Sequence, residues 1–278
     1  MSAEKTPHNI EDLLHLMARL RKPETGCPWD IKQDFHSIVP HTLEETYEVV
    51  DAIERGDFTH LREELGDLLF QVVFYCQMAK EQGLFEFTDV IDGLNAKLLK
   101  RHPHVFPDGT LSSERKAGSA PGQTEIRNTW ETLKAQDRLK KGQQGRLADI
   151  PLAIPALSRA EKLQKRAANH GFDWPDYKPV LDKIDEELVE LREAIGLNDE
   201  QHIEEELGDL IFACVNLGRH RSINLEACLR RANRKFEVRF HDMELIADNN
   251  GLDFEELSLE AKNDLWQQVK QAEKGISN

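Results

Sequence analysis

Basic residues are in deficit, sulfur is scarce, and no apolar run is long. Lysine and arginine number 36 against 51 aspartates and glutamates, a formal net charge of −15. A surface of that sign repels a phosphate backbone, so no nucleic-acid partner is expected. The four cysteines, Cys27, Cys76, Cys214 and Cys228, form no Cys-x-x-Cys pair. That removes thiolate zinc sites and a disulfide frame, and leaves reduced thiols of a cytoplasmic protein. No uninterrupted apolar stretch approaches the roughly 18–20 residues of a membrane span, and no basic-then-apolar leader opens the chain. The motif Gly-x-x-x-x-Gly-Lys-Ser/Thr is missing, so a P-loop is excluded as a phosphate cradle.

What is present is an acidic pattern stated twice. Residues 43–48 read LEETYE and residues 185–190 read DEELVE; residues 61–70 read LREELGDLLF and residues 202–211 read HIEEELGDLI. One offset of 142 residues carries Glu44, Glu45, Glu48, Glu64 and Asp67 onto Glu186, Glu187, Glu190, Glu206 and Asp209. Solvated acidic faces have no reason to hold five carboxylates in register across a duplication, whereas a metal site does. The echo extends outward. Trp29 in GCPWD returns as Trp174 in GFDWP, Asn95/Lys97/Arg101 as Asn233/Lys235/Arg239, and Trp130-x-x-x-Lys134 as Trp266-x-x-x-Lys270. Domain one is placed at 8–136, a linker carrying Gly142, Gly145 and Pro151 at 137–152, and domain two at 153–278. Residues 107–124, rich in Pro, Gly and Ser, read as a mobile loop within the first repeat.

Helical spacing dominates. Over 61–80, Leu61, Leu65, Leu68, Leu69, Val72, Val73 and Cys76 recur at a helical period, and Phe70, Phe74 and Tyr75 widen the apolar surface beyond one stripe. A helix so apolar needs cover on more than one side, which points to an all-α bundle completed by another copy of the repeat or another subunit.

The spacing of the acids is chemical as well as helical. Glu45 and Glu48 are three apart, as are Glu64 and Asp67, so each pair shares one helical face. The turn between them falls near Arg55-Gly56-Asp57, with Asp57 or Thr59 available as N-cap. Glu48 and Glu64 lie seven or eight residues from that turn, and Glu45 and Asp67 ten or eleven. In an antiparallel hairpin rising about 1.5 Å per residue, the four come level in two rungs. The second repeat does the same around Gly196 to Asp199. Four facing carboxylates repel without counter-charge, and an all-oxygen set selects Mg²⁺, with Mn²⁺ as substitute, over zinc. A di-iron bundle wants Glu-x-x-His where this chain has Glu-x-x-Asp. His60 and His202, four residues before Glu64 and Glu206, read as surface or helix-end residues.

The Lys and Arg of Asn-x-Lys-x-x-x-Arg, four apart, suit the remaining charge of a metal-bound polyphosphate, or else pair with acids of their own helix. Trp130 and Trp266 stack on a base or sugar, or belong to the core. One position separates the repeats: Lys183 precedes Glu186 by three, where the first repeat has His41. A permanent cation makes the second repeat the better triphosphate site.

Glu-Glu-x-x-Glu followed by Glu-x-x-Asp in two copies, with GCPWD, KRHPHVF at 100–106 and GFDW, resembles the MazG-type nucleoside triphosphate pyrophosphohydrolases over nearly the whole chain. The resemblance implies a tandem of helical domains forming four-helix bundles in a homodimer. It also implies Mg²⁺-dependent hydrolysis of nucleoside triphosphates to monophosphate and pyrophosphate, with broad base specificity. By the same resemblance the metal ligands are Glu187, Glu190, Glu206 and Asp209, with first-repeat equivalents Glu45, Glu48, Glu64 and Asp67. Lys183, Lys235, Arg239 and Trp266 contact the nucleotide, and Glu186 or Glu187 takes the proton of the attacking water. A non-catalytic nucleotide sensor or helical scaffold is the rival reading.

Overall fold

The computed structural model describes residues 7–140 and 145–276, and among them helices account for the regular structure, with no strand. They are α1 (Ile10–Leu20), α2 (Phe35–Arg55), α3 (Phe58–Glu81), α4 (Phe87–Arg101), α5 (Gln123–Lys140), α6 (Ala156–Ala168), α7 (Lys178–Leu197), α8 (Glu200–His220), α9 (Leu225–Asn249) and α10 (Leu259–Ile276). The chain divides into two compact units, Met1–Lys134 and Ala135–Asn278. Helix α5 runs on to Lys140, so the first residues of the expected linker are helical, while Gly142 lies outside the described residues.

The elements start and stop where local chemistry tells them to. Asp34 opens α2 by accepting from the backbone N–H groups of His36 and Ser37. Gly56, at φ 71°, ends it in the left-handed region, and Asp57 caps α3 by accepting from His60 N at 3.0 Å. Of the two N-caps the sequence offers, the structure uses Asp57 rather than Thr59. The second unit builds the same hairpin with different residues. Asn198, at φ 58°, replaces the glycine, and Asp199 accepts from His202 N at 3.2 Å. Asparagine tolerates that conformation better than other residues with a Cβ.

In each unit a long hairpin, α2–α3 or α7–α8, is flanked on one side by a shorter helix, α1 on α3 and α6 on α8. The first core is Met17, Ile38, Val73, Phe74 and Met78. In the second unit Met243, Ala247, Leu265 and Val269 lock α9 to α10. Part of the apolar surface of α2–α3 stays uncovered among the described residues. Leu43, Tyr47, Leu65, Leu69 and Val72 remain exposed, and Val189, Leu207 and Ile211 repeat the pattern on α7–α8.

Candidate metal centre

The hairpins bring the acids together. In the first unit Glu45, Glu48 and Glu64 each offer a carboxylate oxygen, all within 4.8 Å of one another; in the second, Glu187, Glu190 and Glu206 do the same. Each triad has a buried member, Glu64 at 6% exposure and Glu187 at 4%. Asp67 and Asp209 complete the sequence pattern but lie outside the triads. Asp67 is close enough to act on Glu45 through its charge. Asp209 lines a cavity of about 290 Å³ together with Lys183, Glu187 and Asn216.

Charge crowding is visible in the acids themselves. Burial, then the charge of Asp67, pushes Glu45 above the ordinary carboxyl value. Burial, then Glu48, does the same to Glu64, and burial, then Glu206, to Glu190. Two triads of crowded carboxylates fit a hard divalent cation, which would supply the missing charge to an all-oxygen donor set.

His60 and His202 do stand at helix starts, yet their rings have a task that their position alone did not reveal. His60 Nε2 lies 2.6 Å from Glu64 Oε1, and His202 Nε2 lies 2.8 Å from Glu206 Oε1. Arg55 Nη2 sits 2.8 Å from His60 Nδ1. A guanidinium only donates, so Nδ1 accepts and the proton on Nε2 faces Glu64. An imidazole that orients a carboxylate in this way is a supporting contact of the kind metal sites commonly carry. The one trace in the sequence is the spacing, His four residues before Glu in both repeats.

The cations divide into two groups. Lys183 Nζ lies 2.7 Å from both Glu186 and Glu187, and these hydrogen bonds hold its pKa well above the ordinary lysine range. His41 makes a longer contact in the first unit, 3.6 Å from the exposed Glu44. Lys235, Arg239 and Trp266 belong to the α9–α10 pair. Arg239 Nη2 lies 2.6 Å from Glu273, and its guanidinium rests over the Trp266 ring. Trp266 also packs against Phe236 and the α9–α10 core. These three residues are thus gathered with one another, while the carboxylates stand on α7 and α8.

The MazG nucleotide pyrophosphohydrolase domain model matches residues 33–106 and 177–243. All eight repeated ligand candidates fall in those segments, as do Lys183, Lys235 and Arg239, whereas Trp266 falls beyond them. A nucleoside triphosphate pyrophosphohydrolase of Escherichia coli is 50% identical over 270 residues, covering 96% of this chain and 98% of that protein. A Thermotoga maritima protein named nucleoside triphosphate pyrophosphohydrolase/pyrophosphatase MazG is 44% identical over 261 residues, 94% of this chain and 95% of its own length. Bacillus subtilis YabN, an uncharacterized protein, is 36% identical over 268 residues, 96% of this chain and 53% of its own.

Proposed function

The chain belongs to the MazG nucleotide pyrophosphohydrolase family, and from that premise we propose that it hydrolyses nucleoside triphosphates to the monophosphate and pyrophosphate. In this reading the second repeat is the main catalytic unit. The observation that carries the proposal is the placement of Lys183 against the second triad. Among the described residues, only there does a permanent cation stand beside three clustered carboxylates, one of them buried.

Glu187, Glu190 and Glu206, with Asp209 at the edge of the same cavity, would hold Mg²⁺, and Mn²⁺ has the same preferences. When bound, the metal supplies positive charge to the phosphate oxygens and lowers the pKa of a coordinated water. Lys183 binds the triphosphate. A phosphate oxygen that takes its Nζ frees Glu186, which is exposed and outside the triad, to accept the proton of the attacking water. Lys235 and Arg239 offset charge on the departing pyrophosphate, and Trp266 lies against the sugar. For Arg239 this requires its ion pair with Glu273 to open. Because α9 packs on α10 and α6, a homodimer burying the exposed faces of α2–α3 and α7–α8 is the arrangement that brings these groups to the carboxylates.

Base specificity is broad, the enzyme works in the cytoplasm, and its role is control of the nucleotide pool. The first triad has a complete ligand set but no lysine, and it contributes little turnover. No helix among the described residues is long and apolar enough to cross a membrane. Incubation of the purified chain with Mg²⁺ and a panel of nucleoside triphosphates, with products identified, tests the reading. Monophosphate plus pyrophosphate is expected. Diphosphate plus phosphate, or binding without turnover as a sensor would show, sinks it.

A further inference from the structure

The two carboxylate sets match, but their surroundings do not. Gln71 follows Asp67 by four residues and Glu64 by seven on α3, so it stands on the same helical stripe as both. The offset of 142 places Ala213 at that point of α8. Ala213, Lys183 and Asn216 line the cavity of about 290 Å³ at the second triad. In the first unit the same three positions hold Gln71, His41 and Phe74. Phe74 is fully buried in the apolar cluster with Met17 and Ile38. His41 packs against Trp29, ring centroids 5.7 Å apart. Gln71 is only 7% exposed, and its amide reaches Glu45, the counterpart of Glu187. Two larger side chains thus stand where the second unit leaves room.

Gln71 also carries an unmet polar atom at the edge of the first triad. Its Nε2 group donates to Glu45 Oε1 over a long 3.4 Å, and its Oε1 atom is buried with no hydrogen-bond partner. A buried acceptor without a donor costs stability. A cation relieves that cost as well as a donor does, because amide carbonyls join carboxylates as regular ligands of hard divalent ions. Half a turn of the amide about its last torsion, which is soft, exchanges Nε2 and Oε1. An ion held by Glu45 favours the exchange, since it repels the N–H dipole and attracts the carbonyl.

We propose that the first repeat holds a structural divalent cation on Glu45, Glu48, Glu64 and Gln71, with the fourth oxygen supplied by this amide rather than by a substrate. The inference rests on reading the repeated carboxylates as metal ligands, and it gives each copy a different use. In the second repeat the small Ala213 leaves one side of the triad open beside Lys183, where a triphosphate can complete the ligand set. In the first, a protein oxygen takes that place, and the ion ties α2 to α3 through Glu45 and Glu48 on one helix and Glu64 and Gln71 on the other.

The test is calorimetric titration of the full chain, without nucleotide, in a Glu187→Gln background that silences the second site. Mg²⁺ and Ca²⁺ are both tried, and the tighter ion is carried forward. Gln71→Met keeps the volume and removes the oxygen; Gln71→Glu keeps an oxygen at the same reach. Gln71→Met is expected to weaken the ion about tenfold or more, as the loss of one contact to a charged partner does. Gln71→Glu should bind it at least as tightly as the Glu187→Gln chain. Loss with the apolar isostere and recovery with the oxygen donor is the pattern of a ligand, whereas a side chain that only filled space would show neither. Unchanged affinity in Gln71→Met, or an affinity in Gln71→Glu as weak as in Gln71→Met, overturns the assignment. Should one variant fail to fold, the other decides alone by its own outcome. If the Glu187→Gln chain takes up no ion while the unsubstituted chain takes up one, the first triad holds no cation and Gln71 has nothing to complete. If neither chain takes up an ion, the metal reading of both carboxylate sets falls as well.

Discussion

Glu187→Gln removes a charge but almost no volume from a side chain that is nearly buried. In the metal-free chain two effects oppose each other. The pairing with Lys183 Nζ at 2.7 Å is lost, and because that lysine is 37% exposed the loss is about 1 kcal/mol at most. Repulsion from Glu190 and Glu206, whose donor oxygens lie within 4.8 Å, is relieved. The two nearly cancel, so the metal-free melting temperature should barely move. Magnesium separates the proteins. A ligand at a hundred times its Kd stabilises the folded state by about 2.7 kcal/mol, which for a unit of this size raises Tm by about 8–10 °C. Scanning calorimetry with EDTA and with Mg²⁺ should find that gain in the second unit of the unsubstituted chain and not in Glu187→Gln. Pyrophosphate release should fall at least about a hundredfold, since the metal supplies several kcal/mol of transition-state stabilisation. The matched Glu45→Gln should lose the metal-dependent gain of the first unit while keeping turnover. A Glu187→Gln protein that retains its magnesium-dependent gain, or more than about a tenth of the turnover, would refute the assignment of the site.

Three further outcomes are expected. Burial and neighbouring charge hold Glu45, Glu64 and Glu190 above the ordinary value of 4.5, so the folded state keeps their protons longer than the unfolded chain. Stability in EDTA should then decline as pH rises from about 4.5 through the raised values, and Mg²⁺ should flatten the decline; thermal melts across that window check the sign. Asn198→Val forces a β-branched residue into the left-handed turn between α7 and α8 and should cost about 1–2 kcal/mol. Asn198→Gly should be close to neutral by urea denaturation. Glu81→Gln removes the charge that the buried Arg21 guanidinium meets at 2.7 Å, leaving it its bond to the Gln33 carbonyl, and should destabilise the first unit by about 1–3 kcal/mol while sparing turnover by the second.

Helix type, the acidic faces and the turns are legible in the chain because they are local. Glu45 and Glu48 share a face through helical spacing alone, and Gly56-Asp57 or Asn198-Asp199 can stop one helix and start the next without distant help. The hairpin registry, and with it the meeting of Glu48 with Glu64, could be counted from the turn. The same counting put Asp67 and Asp209 on equal terms with the glutamates. In the structure both aspartates lie outside the triads.

Other features had no local signature. The spacing of His60 and His202 was visible, but a ring four residues ahead of a carboxylate can point to water as readily as to its neighbour. In the structure each ring turns to the carboxylate one helical turn ahead. The spacing left Arg239 to a polyphosphate or to an acid of its own helix, and its partner in the structure is Glu273 of the neighbouring α10.

By itself, then, the chain determined that it would make helices, duplicate a carboxylate set and end its hairpins where it does. These depend on neighbours within a few residues, whose geometry the backbone dictates. Only tertiary structure decided that Gln164 on α6 would bury an unpartnered carbonyl oxygen while Met17 on α1 joined an apolar cluster. The fate of those side chains depends on what a separate helix presses against them, and no spacing along the chain encodes that.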